Sequence, residues 1–139
     1  MNQSWKTAVL LCVFSVFAIS AFAESQGETF KPEGATKMTV EELKALADST
    51  AYDVNNVWVS YLGNNNDLKI RIKTKKGMFL DTGTRKVTED GQSCLSWNKR
   101  KNANRCASLW KRGDKIIGVK KDGKINSVFT VKKGNTENL

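Results

Sequence analysis

The chain of 139 residues contains no histidine. That absence excludes nucleophilic catalysis by a Ser–His or Cys–His pair. With only three cysteines and no imidazole, it also leaves a poor donor set for zinc. No glycine-rich phosphate cradle is present, and there is neither an internal repeat nor an alternation of strands with long helices. Acids are scarce where they would matter for hydrolysis. In the C-terminal two thirds, Glu89, Asp90, Asp114 and Asp122 fall in turn sequences, and Asp81 falls between two short apolar runs. No pair stands out as held at the fixed separation that glycoside hydrolysis needs. These absences point away from an enzyme and give no catalytic residue, no metal site and no cofactor.

Long apolar runs are also lacking, with one exception. Thr7 to Ala21 is almost wholly apolar, follows Lys6, and ends in Ala21-Phe22-Ala23. At about 16 residues it falls short of the ~20 that a spanning helix needs. It reads as a signal peptide, residues 1–23, cut before Glu24. Export to the periplasm or the exterior is then expected, and no segment long enough to span a membrane remains. Cleavage also removes Cys12, leaving Cys94 and Cys106 as an even pair in an oxidising compartment. A disulfide between them contributes about 3 kcal/mol in the chain-entropy picture.

Charge is unevenly spread. Glu24 to Asp67 holds 3 Lys and Arg against 8 Asp and Glu, whereas Lys69 to Lys133 holds 19 against 5. A segregated positive surface attracts polyanions. Its densest stretch is the loop between the two cysteines, Asn98 to Arg105, which contains Lys99, Arg100, Lys101 and Arg105 and no acid. Such a tip can meet phosphate, sulfate or carboxylate through charge-assisted hydrogen bonds. It can equally be a solvated turn.

Residues 24–37, with Gly, Pro and mixed charge, read as a flexible leader. One domain, residues 38–139, follows. Thr39-Val-Glu-Glu42 is a capping box, and Val40, Leu43, Leu46 and Ala47 form one stripe of a short helix ending near Asp48 to Thr50. From Val57 the pattern alternates. Leu68, Ile70 and Ile72 face one way and Lys69, Arg71 and Lys73 the other. Met78 to Leu80 and Gly83 to Val87 read as two short strands. Leu95 and Trp97 share a face opposite Cys94, and Ala107 and Leu109 share a face opposite Cys106 and Trp110. Trp97 reads as core, and Trp110 as either core or a stacking surface for sugar rings or bases. Asp122-Gly123 marks a tight hairpin.

Together these signals predict a mainly β fold: a single antiparallel meander of seven or eight short strands, curled into a barrel or a bent sheet. One short N-terminal helix plugs an end or covers a face. An α+β sheet with a packed helix is the nearest alternative.

Several motifs in order resemble small exported bacterial proteins of domain-of-unknown-function family nine-nine-five. They are Glu42-Leu43-x-x-Leu46, Trp58-x-x-Tyr61, Gly83-Thr84, Cys94-x-x-Trp97 with Cys106, Gly113-Asp114, and Val131-Lys-Lys-Gly-Asn135 with Leu139. Where that family often has an aromatic after the Gly-Thr pair, this chain has Arg85. The resemblance implies an exported β domain with a disulfide and no established activity.

The expected function is therefore non-catalytic. The domain would bind an anionic polymer or surface (acidic polysaccharide, anionic lipid headgroups or nucleic acid) through Lys99, Arg100, Lys101 and Arg105, with Trp110 as a stacking partner. The alternative is an envelope protein acting by protein–protein contact, as inhibitor or scaffold of an exported enzyme.

Overall fold

The computed structural model describes residues 32–139. The expected signal peptide, its cleavage site, Cys12 and leader residues 24–31 lie outside the described residues. The chain runs β1 (Thr36–Lys37), α1 (Val40–Lys44), β2 (Ser49–Asp53), β3 (Trp58–Leu62), β4 (Asp67–Thr74), β5 (Gly77–Val87) and β6 (Gln92–Trp97). A 3-10 turn (Lys101–Ala103) then leads to β7 (Arg105–Arg112), β8 (Lys115–Lys120) and β9 (Ile125–Lys133).

Strands β2 to β9 pair antiparallel with their sequence neighbours, and β2 also pairs with β9. The eight-stranded sheet therefore closes on itself as a barrel, which removes the edges an open sheet would expose. β1 is a ninth strand, laid on β7 where β6 no longer accompanies it, with Thr36 opposite Lys111 and Lys37 opposite Trp110.

Alternation sends one face of each strand inward. Leu68, Ile70, Trp97, Leu109 and Phe129 join the main core. On the outside, Ala35 and the half-buried Trp110 cover Ile117 and Val119 in a second small cluster. The C-terminal tail covers β2, with Thr136 donating from its amide to Thr50 Oγ1 at 3.1 Å. All of this core, both cysteines and the helix lie within one compact unit, residues 31–139. That unit contains what it needs to fold by itself.

The short helix plugs one end. Thr39 Oγ1 accepts from the Glu42 amide while the Thr39 amide donates to Glu42 Oε1, both at 3.2 Å, completing the capping box. Met38, Leu43 and Leu46 are buried against Leu62 and Leu68. Arg85, only 4% exposed, points inward and donates to the Leu43 carbonyl and, at 3.3 Å, to Ser93 Oγ. This inward position thus holds a cation bonded to the helix end, where carbonyls favour positive charge. Burial lowers its pKa.

Three local expectations change. The helix is shorter than its sequence stripe suggests. Asp48 adopts φ 57° and turns the chain into β2, so Ser49 and Thr50 are strand, not helix end. Met78 to Val87 is not two strands around a break but part of one strand of 11 residues, with Asp81 facing inward. The last residues of the supposed leader are ordered as β1. Trp110 packs half-buried against the small outer cluster of Ala35, Ile117 and Val119, with Lys37 of β1 paired beside it.

Candidate functional site at the open end of the barrel

The end opposite the helix is formed by the β2–β3, β4–β5, β6–β7 and β8–β9 connections. There the barrel holds a cavity of about 320 Å³, within the range of small-molecule sites. Its wall is largely apolar: Leu62, Ile70 and Ile72, then Leu95, Leu109 and Phe129, with the rings of Trp58 and Trp97. Trp58 and Phe129 pack with ring centroids 5.8 Å apart. Small and hydroxylated residues at inward positions, Ala51, Ser60, Ser93 and Ala107, leave the space that larger side chains would fill. Among the described residues lining it, two are arginines, Arg100 and Arg105, and none is acidic.

The cysteine-bounded loop forms part of the rim. Cys94 and Cys106 are opposite one another in the β6–β7 register and are joined as a disulfide. The loop is latched to the barrel by Asp81, whose side chain is fully buried. Its carboxylate accepts from the amides of Thr82 (2.8 Å), Lys99 (3.0 Å) and Arg100 (3.1 Å), and from Arg100 Nε (3.3 Å). Burial alone would push this carboxyl up, but the amide donors and the guanidinium outweigh it and hold it below the ordinary aspartate range. Asn104 Oδ1 accepts from the Trp97 amide at 2.6 Å and ties down the other limb. Gly83 permits this packing, since a Cβ there would lie 2.2 Å from the Ser96 carbonyl oxygen and 3.1 Å from the Trp97 ring.

The four loop cations are therefore not equivalent. The Arg100 guanidinium lies 4.7 Å from the Trp97 ring centroid, and its Nη2 is buried with no hydrogen-bond partner. Arg105 donates from Nη1 to Asn126 Oδ1 at 2.6 Å and lies exposed at the rim. Lys99 Nζ donates to the Leu80 carbonyl at 3.0 Å and sits 5.7 Å from the Phe79 ring centroid. Lys101 is exposed in the 3-10 turn.

Trp110 does not join them. It is five residues along β7 from Arg105, about 17 Å at strand rise, and its Nε1 donates to Ser108 Oγ at 3.0 Å within the small outer cluster. The structure brings together Arg100 and Arg105 with Trp97 and Trp58, and leaves Trp110 outside the site. Asp81 and the cavity wall are the parts that sequence reasoning missed. An acid on the inward stripe Phe79-x-Asp81-x-Gly83 was the available signal, but it shows only when β5 is read as one strand.

Comparisons with known proteins found no matching family model, no similar curated protein and no matching solved structure.

Proposed function

We propose that this domain is a non-catalytic binding protein for a small amphipathic anion, held with its apolar body inside the barrel and its charged head at the rim. The observation that carries this reading is the buried, unpartnered Nη2 of Arg100 beside an apolar cavity. A buried donor without a partner costs about 1–3 kcal/mol, and a carboxylate, sulfate or phosphate head would satisfy it. Arg100 is ion-paired with Asp81 through Nε, Arg105 adds a second cation at the same rim, and no carboxylate lines the cavity itself. An alkyl chain or one or two fused rings suits the volume and its wall.

This narrows the broader expectation of an anion bound by the basic loop. Arg100 lines the cavity with its Nη2 buried while its side chain as a whole is 28% exposed, so the head group of a small ligand entering the barrel matches it better than a polymer does. Export is part of the same proposal, and the disulfide is compatible with it. So is membership of the resembling family, which adds no activity.

Trp58 and Trp97 line the cavity, so their fluorescence reports occupancy. Titration with a medium-chain carboxylate and with the alcohol of equal length should show tighter binding of the carboxylate, and Arg100→Met should erase the difference. Equal affinity for acid and alcohol in the unaltered protein would reject the reading. Arg105→Gln, which leaves the Asp81 latch intact, should weaken the acid by a smaller factor.

A further inference from the structure

The five large hydrophobic side chains most exposed among the described residues are Val54, Val57, Met78, Leu80 and Ile125, each between 41% and 58% exposed. Scattered exposed apolar residues are ordinary. These are not scattered. Val54 and Val57 are on the β2–β3 connection, Met78 and Leu80 occupy the outward face at the beginning of β5, and Ile125 begins β9. All five belong to the open end, and none lies on the β3–β4, β5–β6 or β7–β8 connections.

The same end is strongly positive. Its strand ends and loops carry ten Lys and Arg, in residues 73–76, 99–105 and 120–124. Four acids share it, one of them Glu137, which is half-buried beside Val57 and Met78 and paired with Arg71 at 3.0 Å. Asp53 is buried and accepts from the Val57 amide at 2.9 Å, Asp81 is buried in the latch, and Asp122 alone is exposed.

We propose that the open end of the barrel docks on an anionic lipid bilayer, with the apolar tips entering the headgroup boundary and the surrounding Lys and Arg meeting lipid phosphates. Apolar tips ringed by cations are the combination that binds such an interface. A second copy of the same face would bring ten cations against ten, and a nucleic acid or acidic polysaccharide would use the cations but leave Val57, Met78 and Leu80 in water. Among the described residues no helix is long and apolar enough to cross a membrane, so attachment of this unit by that face would be peripheral. The inference stands without the cavity ligand, although the cavity opens onto the docked face.

The test is flotation of the chain from Glu24 onward, with its β-sheet content checked by circular dichroism. The vesicles are phosphatidylcholine alone or with about one-third phosphatidylglycerol. The protein should float with the anionic vesicles and not with the neutral ones, and partitioning should fall with added salt. Lys75→Gln, Lys76→Gln and Lys121→Gln together should reduce it by roughly five-fold for each charge removed. Met78→Ser with Leu80→Ser should reduce it further at unchanged net charge. Lys86→Gln with Lys115→Gln, near the plugged end, should change it least. Failure to float, equal flotation with neutral vesicles, or equal sensitivity to changes at the two ends would overturn the proposal. Unchanged vesicle binding in Met78→Ser/Leu80→Ser, with a single-stranded oligonucleotide bound as tightly, would overturn it too and mark the face as a general polyanion surface.

Discussion

At one end of this barrel, Met38, Leu43 and Leu46 fill the opening, and the inward cation Arg85 is bonded to the helix carbonyl. At the other end the interior is left partly empty, and the cation Arg100 keeps a buried nitrogen without a partner. The two arginines are the clearest contrast. Arg85 points into the barrel and is held at both Nε and Nη2, while Arg100, at the cavity rim, is held only at Nε, by Asp81. Apolar side chains are likewise packed at the plugged end and exposed at the open one. Polar satisfaction and close packing stabilise a fold. Their relaxation at one end, on a framework complete elsewhere, is where a ligand has something to gain.

Perturbing the plugged end should have the largest effect on stability. Leu43 is fully buried, so Leu43→Ala should cost about 2–5 kcal/mol in urea denaturation and loosen the barrel as a whole. Removing the disulfide with Cys94→Ser and Cys106→Ser should cost about 3 kcal/mol, and hydrogen exchange should rise first in the Asn98–Arg105 loop while the helix end stays protected. Asp81→Ala should cost roughly 2 kcal/mol, because it strands the amide donors it satisfies, and should speed exchange at Lys99 and Arg100. Lys101→Gln should alter stability by less than about 0.5 kcal/mol.

Acid gives a finer contrast. The Asp81 pKa is lower in the folded chain than its ordinary value, so its ionised form stabilises the fold above the unfolded aspartate value. That contribution is lost as pH falls through the lowered one. The latch should therefore persist where exposed aspartates have begun to protonate and release only below that range, as read from the Lys99 and Arg100 amide resonances.

Much of the framework is legible in the residues. Leu68, Ile70 and Ile72 alternate without interruption, the Thr39 capping box announces its helix, and the spacing of Leu95, Trp97, Ala107 and Leu109 separates the barrel interior from the disulfide face. Other parts are not. Ser49-Thr50-Ala51 has weak strand chemistry and becomes β2 because β3 and β9 supply partners on both sides, a tertiary effect. Asp81 reads as a break because its donors on Lys99 and Arg100 lie 18 and 19 residues away. Nothing local distinguishes Arg100 from Lys99 or Lys101. The buried Asp81 and the Trp97 ring, brought together by the closed barrel, hold one member of a basic run at the cavity rim.

The most direct test of the central claim is a set of intermolecular NOEs between an isotope-labelled medium-chain carboxylate and the protein. A ligand inside the barrel should show contacts from its alkyl protons to Ile70, Leu95 and Phe129, with the Arg100 side-chain resonances shifting on binding. Contacts confined to outward residues such as Trp110, or an unmoved Arg100, would contradict it.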